Sequence, residues 1–325
     1  MPAVADSFAA GALGALNAAL DRADLQLDRL AAERLQALPL LGAWFAGHAL
    51  SARGVLLAVA AVALLLIVPP AAEHLLRKWR CTATNFRGET IPQSFGTAIA
   101  LCACLLLLDA ALTPERASDR LLFLYIVILF GGLGLLDDTV GDRRTKGLRG
   151  HLRALVRERK VTTGLIKAAG GLAAGLWIGF RIHAHEPLPA FMAGGLIALS
   201  ANALNLLDLR PGRACGCFVL AAGLLTGCIW LSGGPSVPGL LFVALPTLAS
   251  WRRDAAARVM LGDTGSNLLG AAIGLCAALY CGIGAQAALL TGLGALHIAA
   301  ERLSLTRVIE ATPLLRRLDR LTGVR

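Results

Sequence analysis

Charge is scarce in this chain. Only 16% of its 325 residues are charged, against 56% hydrophobic, and the mean hydropathy is +0.67. That leaves too little polar surface to wrap a water-soluble domain of this length. Aromatics are also few, at 5%, and no basic stretch interleaves with them, so the net charge of +10 does not mark a nucleic-acid binder. None of the eight cysteines forms a C-x-x-C pair, which removes the sign of a disulfide scaffold or paired-thiol metal site. Cys102, Cys104, Cys215, Cys217, Cys228, Cys276 and Cys281 fall in or beside apolar runs, as small fillers. A basic leader followed by a small-residue cleavage site is missing too, so no signal peptide is expected. Internal repeats are absent.

Long apolar runs are what the chain does have. Nine stand out: Gly54–Pro69, Phe95–Leu108, Leu121–Leu136, Gly164–Phe180, Phe191–Leu207, Ala214–Leu231, Val237–Ser250, Leu268–Ile283 and Ala285–Ala300. A spanning helix needs about 20 mostly apolar residues, and most runs reach that with their uncharged flanks. Val237–Ser250 is short and holds Pro246, so a kinked or partly inserted segment is expected there. The composition predicts an all-α, polytopic transmembrane bundle of about nine to ten spans. Residues 1–50 read as an amphipathic or interfacial segment, with Leu25, Leu27, Leu30, Leu35 and Leu38 interleaved with charges. Residues 51–300 form the membrane domain, and 301–325 a basic tail.

Lys and Arg concentrate in alternate loops. Arg77, Lys78, Arg80 and Arg87 occupy one, Arg143 through Lys160 the next, then Arg210 and Arg213, then Arg252, Arg253 and Arg258, and last the tail. The loops between them carry only Arg116, Arg120 and Arg181. This asymmetry predicts that the basic loops and the C-terminus are cytoplasmic.

Three acidic stretches fall on that same side. Asp137 and Asp138 end one apolar run and precede the Gly-broken basic loop Thr139–His151. Adjacent carboxylates raise each other's pKa, so the pair calls for a cation, and its basic neighbours suit a phosphate ester. Asn202, Asn205 and Asp208 repeat at a spacing of three, which gathers them within an arc of about 120° on a helix. Polar groups in an apolar run are costly unless a ligand or cavity receives them. Arg210 and Arg213 follow in a turn, and guanidinium is suited to bidentate phosphate contacts. Finally, Gly262-Asp263-Thr264-Gly265-Ser266 precedes another run, where a lone Asp among small residues suits Mg2+, which keeps its waters and takes few carboxylates. Helix-end residues in water, or polar contacts between helices, would produce similar local patterns.

In order and spacing these stretches resemble the polyprenyl-phosphate N-acetylhexosamine-1-phosphate transferases. Asn85–Pro92 resembles that family's first cytoplasmic loop, Gly134–Asp138 its aspartate pair, and Lys146-Gly147-Leu148 the basic segment after it. Asn202–Asp208 is similar to its Asn-x-x-Asn-x-x-Asp element and Gly262–Ser266 to its Gly-Asp-x-Gly-Ser element. The resemblance implies Mg2+-dependent transfer (Mn2+ substituting) of a sugar-1-phosphate from a UDP-N-acetylhexosamine to a polyprenyl phosphate, with UMP released. It implies a bacterial plasma-membrane enzyme of surface-glycan or cell-wall synthesis, with a second copy of the chain as a candidate partner. Asp137, Asp138 and Asp263 are then the catalytic candidates, with Asp263 and Asp138 as metal ligands. Asn202, Asn205, Asp208, Arg143, Lys146, Arg149, His151, Arg210 and Arg213 are the substrate-binding candidates.

Four features depart from the family pattern. Gly141 stands where a lysine usually follows the aspartate pair, Pro211 where a further Asp follows Asp208, and Met260 where an aromatic precedes the Gly-Asp element. No His-rich cluster occurs in the last basic region. Arg143 or Arg144 is the expected replacement for the lysine. A transporter built on broken helices, or a lipid-phosphate-binding homologue without activity, are the alternative classes.

Overall fold

The computed structural model describes residues 52–111, 117–141, 147–235 and 237–324. The chain divides into two compact units, Met1–Leu64 and Leu65–Arg325, and the functional residues discussed below lie in the second. The segment 1–50 lies outside the described residues.

Each of the nine apolar runs becomes a helix. They are α1 (Ala52–Lys78), α2 (Gly96–Ala111), α3 (Ala117–Val140), α5 (Thr163–Ile182), α6 (Pro187–Leu207), α7 (Arg213–Leu231), α8 (Pro238–Ala255), α9 (Gly262–Tyr280) and α10 (Ile283–Ala300). Three further helices are polar or amphipathic: α4 (Gly147–Glu158), α11 (Leu305–Ala311) and α12 (Pro313–Thr322). Among the described residues, six helices are long and apolar enough to cross a membrane. These are Val59–Lys78, Ser118–Val140, Thr163–Ile182, Pro187–Leu207, Arg213–Leu231 and Ile283–Ala300. The chain is a polytopic helical membrane protein.

The other three apolar helices fall outside that length and apolarity, each for its own reason. The apolar part of α2, Gly96–Leu108, is short. Pro246 lies inside α8, and Arg252, Arg253 and Asp254 close its last turn. The third, α9, opens on Gly, Asp, Thr, Ser and Asn, yet it is buried over most of its length, from Thr264 to Ala278. A helix enclosed by protein need not match the apolarity of lipid. Its neighbour α10 is the reverse case, since Gln286 is its only buried residue and its apolar surface is left for lipid.

Small residues let α9 sit at the centre. A Cβ on Gly96 of α2 would lie 2.1 Å from the backbone nitrogen of Gly265, so the two helices touch backbone to backbone there. Phe123, Ile126, Ile197, Phe218, Leu268 and Leu275 fill the core around it.

A two-stranded hairpin, β1 (Thr82–Thr84) and β2 (Thr90–Pro92), joins α1 to α2, with Ala83 paired to Ile91. The Asn85 side chain organises its turn by accepting from the backbone N–H groups of Arg87 and Glu89 at 2.8 and 3.0 Å. The hairpin is fastened to the segment before α9, where Met260 N donates to Pro92 O at 2.8 Å and Phe95 N donates to Met260 O at 3.0 Å. Because successive long helices run antiparallel, the end of α3, start of α5, end of α6, start of α7, end of α8 and start of α9 gather at one end of the bundle.

Candidate active site

The site is built around an ammonium group between two carboxylates. Thr162 caps α5, its hydroxyl accepting from Leu165 N, and this start to the helix brings Lys167 onto its first turns. The Lys167 Nζ lies 2.8 Å from Asp137 Oδ2, near the end of α3, and contacts Asp263 Oδ2 at the start of α9. The three side chains are only 16%, 17% and 28% exposed. In so protected a setting, two carboxylates tolerate each other only with a cation between them.

The Asn205 amide completes the cluster from α6. Oriented to satisfy its neighbours, its nitrogen donates to Asp263 Oδ1 at 2.9 Å and to Ser266 Oγ at 3.0 Å, while its oxygen accepts from Lys167 Nζ at 3.2 Å. The Asn267 side chain donates to Asp263 O at 2.6 Å. Four helices therefore converge on one polar cluster.

Asp138 is spent differently. Its Oδ1 accepts from Asp263 N at 2.9 Å, and its Oδ2 accepts from Thr264 N at 3.1 Å and Thr264 Oγ1 at 2.7 Å. It caps α9 from another helix, satisfying N–H groups that the first turn leaves free. Gly262 makes that approach possible, with φ at +74° and a Cβ position 2.6 Å from Asp138 Oδ2. Asp138 thereby fixes the start of α9 beside Asp263.

Beside the cluster opens a cleft of about 680 Å³, counting its open mouth. Asn85, Phe86 and Gln93 line it from the hairpin side, Asp208, Arg210 and Pro211 from the turn after α6, and Asp254, Met260 and Asp263 from around α9. The Arg210 guanidinium stands 5.5 Å from the centroid of the Phe86 ring. Asp208 ends α6 at the cleft wall; burial, then the carboxylates of Asp254, Asp263 and Asp138, push its pKa well above the usual carboxylate range.

Other expected site residues are placed elsewhere. Arg213 is 2% exposed and bound to Asp319 of the tail at 2.7 Å, so it is not free to meet a substrate. Its position at the first turn of α7 points it into the docked tail. His151 shares a 2.8 Å hydrogen bond with Thr162 Oγ1, which fastens α4 to the start of α5 away from the cleft lining. Asn202 is exposed on α6 and does not join Asn205. A spacing of three slips about 60° round a helix per step, so Asn202 stands about 60° from Asn205 and about 120° from Asp208. Arg143 and Lys146 lie outside the described residues, as does the side chain of Arg149.

Lys167 was not among the candidates, although a signal existed. It is the one charged residue in the run Gly164–Phe180, and an ionisable group in a spanning segment marks function by default. It supplies the cation that meets Asp137 and Asp263, while Arg144, like Arg143, lies outside the described residues. Phe86 was likewise unmarked, because an aromatic in a short polar loop has no periodic signal.

A multi-pass helical membrane protein with a partly buried lysine–carboxylate cluster at one end of its bundle is thus defined. Residues 120–281 match the model of glycosyl transferase family 4. The chain belongs to this family, that of the polyprenyl-phosphate sugar-1-phosphate transferases its motifs resemble. It is 36% identical over 115 residues to the phospho-N-acetylmuramoyl-pentapeptide-transferase of Koribacter versatilis, covering 30% of each chain. It is 31% identical over 182 residues to that of Granulibacter bethesdensis, covering 46% of this chain and 49% of the relative. A third, from Chlamydia trachomatis, is 27% identical over 209 residues, covering 58% and 61%. The chain thus spans from under a third to about three fifths of the length of these relatives.

Proposed function

We propose that this protein transfers a sugar-1-phosphate from a nucleoside-diphosphate sugar to a polyprenyl phosphate in a bacterial membrane. The observation that carries the reading is Lys167 held between Asp137 and Asp263, next to an open cleft at one end of the bundle. In the balanced reaction, a lipid-phosphate oxygen forms a bond to the β-phosphorus of the donor. The bond from that phosphorus to the bridging oxygen breaks, and the electron pair leaves with the nucleoside monophosphate. Such transfers depend on positioning and charge neutralisation more than on covalent help from the protein.

Asp137 orients the incoming lipid phosphate. Lys167 offsets the charge that gathers on the phosphate oxygens. Asn205 holds the Asp263 carboxylate in register. Arg210 takes the donor phosphate nearer the nucleoside, and the Phe86 ring, 41% exposed in the cleft, offers the planar face on which a base stacks. UDP-N-acetylhexosamine is the donor we favour, and undecaprenyl phosphate the acceptor.

The donor set fits a hard cation. Asp263 and Asp137 present carboxylate oxygens and Asn205 a carboxamide, the ligands Mg2+ or Mn2+ accepts alongside water and phosphate. When bound there, Mg2+ neutralises the pyrophosphate oxygens. Asp263 would hold it with Asp137, and Asp138, committed to the α9 cap, would not.

The concentration of Lys and Arg in these loops supports a cytoplasmic location for this end of the bundle and the C-terminal tail. The convergence of the carboxylates at one end of the bundle argues against the transporter alternative, which needs them near mid-membrane.

The test is purified protein in detergent with undecaprenyl phosphate, Mg2+ and radiolabelled UDP-N-acetylglucosamine or UDP-N-acetylgalactosamine, supplied separately. Mg2+-dependent label in the lipid phase, lost in Asp137→Asn and Asp263→Asn, is the expected result. Lipid-phosphate binding without transfer from either donor would instead indicate an inactive homologue.

A further inference from the structure

The tail carries a helix that the proposed reaction does not use. On α12, Leu314, Leu318 and Leu321 share one face, while Arg316 and Arg320 stand away from it and Arg317 flanks it. The three leucines are 67%, 45% and 76% exposed. Left in water, such a stripe gives up the stabilisation that burying apolar area brings.

A third edge of the helix is docked. Asp319 accepts from Arg213 Nε at 2.7 Å and from its terminal nitrogen at 3.1 Å, a bidentate pair. Trp251 Nε1 donates to Thr322 O at 3.0 Å, and Val324 N donates to Ala255 O at 2.9 Å. Thr322 O also packs where Gly212, at φ +73°, has no Cβ. These partners fix the height of the helix. Arg213 is the first residue of the apolar span Arg213–Leu231, so α12 is pinned where a span leaves the hydrocarbon for the headgroups.

We propose that α12 is seated on an anionic bilayer surface, with Leu314, Leu318 and Leu321 in the headgroup–acyl boundary and Arg316, Arg317 and Arg320 drawing in acidic headgroups. An amphipathic helix with leucines on one face and arginines on the other is the form that lies in a membrane interface, and each basic residue near an acidic surface adds attraction. The seating also steadies the cleft. The turn that α12 grips runs through Pro211, Gly212 and Arg213, and Pro211 lines the cleft with Arg210. This last consequence rests on the proposed function; the seating does not.

The experiment uses the full chain in nanodiscs of phosphatidylcholine alone or with phosphatidylglycerol. Hydrogen exchange of residues 313–322 and tryptic cleavage in the tail are followed, with UMP binding measured in the same discs. Exchange about tenfold slower in the acidic discs is expected, and reversed by salt. The double variant Leu318→Glu/Leu321→Glu should lose that protection while the bundle melts as before. The triple variant Arg316→Gln/Arg317→Gln/Arg320→Gln should lose the dependence on acidic lipid. Equal exchange in both kinds of disc would overturn the proposal. So would protection in phosphatidylcholine alone that rises with protein concentration, because a second copy would then cover the leucines. Lipid-dependent protection without UMP binding would uphold the seating and count against the transferase reading. UMP binding with a lipid-insensitive tail would do the opposite.

Discussion

Lys167 Nζ lies 2.8 Å from Asp137 Oδ2, a contact that ties the first turns of α5 to the last turns of α3 and, through Asp263, to the start of α9. One ammonium serves both the packing of three helices and the charge balance of the site. Its two roles separate by substitution. Lys167→Met removes the charge, and transfer should fall by about 100-fold or more, the loss typical of deleting one preorganised charge-stabilising group. Lys167→Arg keeps the charge but misplaces it, and should retain folding better than activity. Thermal melting beside the transfer assay reads the two separately.

Asp138 should behave as a cap and Asp263 as a ligand. Asp138→Ala frees the N–H groups of Asp263 and Thr264 and the Thr264 hydroxyl, and should cost about 1–3 kcal/mol of stability. Its Mg2+ affinity, followed by Mn2+ paramagnetic relaxation, should change little in the fraction that folds. Asp263→Asn should weaken that affinity steeply. Equal loss of metal in both variants would return Asp138 to the ligand set.

Phe86→Ala should raise KM for the nucleotide sugar about tenfold with kcat nearly unchanged, because stacking a base on an aromatic ring is worth about 1–3 kcal/mol and acts on bound substrate as much as on the transition state. Phe86→Trp should keep KM close to that of the parent. If Phe86→Ala changed kcat alone, the ring would be acting on something other than a base.

The Arg213–Asp319 pair is buried at both ends, at 3% and 9% side-chain exposure. Arg213→Met strands the Asp319 carboxylate and should destabilise the protein by about 3–5 kcal/mol, while Arg213→Met with Asp319→Leu should recover much of that loss. A double-mutant cycle on thermal melting measures the coupling directly. No recovery in the double variant would mean that packing of the Arg213 stem, rather than the charge pair, holds the tail.

Asp208 gives the pH dependence. Its pKa is raised in the folded protein by burial and by the carboxylates of Asp254, Asp263 and Asp138. Between the ordinary carboxylate range and that raised value, the folded state keeps a proton that the unfolded chain has released. Stability should therefore fall as pH rises through that window. Asp208→Asn should flatten the slope in chemical denaturation above the ordinary carboxylate range, which lies at about pH 4. An unchanged slope would assign the titration to another group.

Much of this was legible in sequence because bilayer physics is written in composition. An apolar run of helical length has few alternatives in lipid, where backbone groups must bond internally. The nine runs accordingly became nine helices, although Pro246 in α8 and the polar opening of α9 kept some below the length or apolarity of a span. Asp137, Asp263 and Asn205 were marked by their cost at the ends of such runs. Lys167 was passed over as one charge in an apolar stretch, and Phe86 carried no pattern at all.

The sequence by itself determined the helices, the side to which charge is confined, and the carboxylates that have to be neutralised. These follow from hydropathy and desolvation, which act residue by residue along the chain. Only the tertiary structure decided which cation neutralises which carboxylate, which aspartate caps a helix and which meets the lysine, and which arginine lines the cleft and which binds Asp319 of the tail. Those choices depend on where distant helices meet. At α9 that is set by a few glycines that let backbones touch, a matter of shape and not of composition.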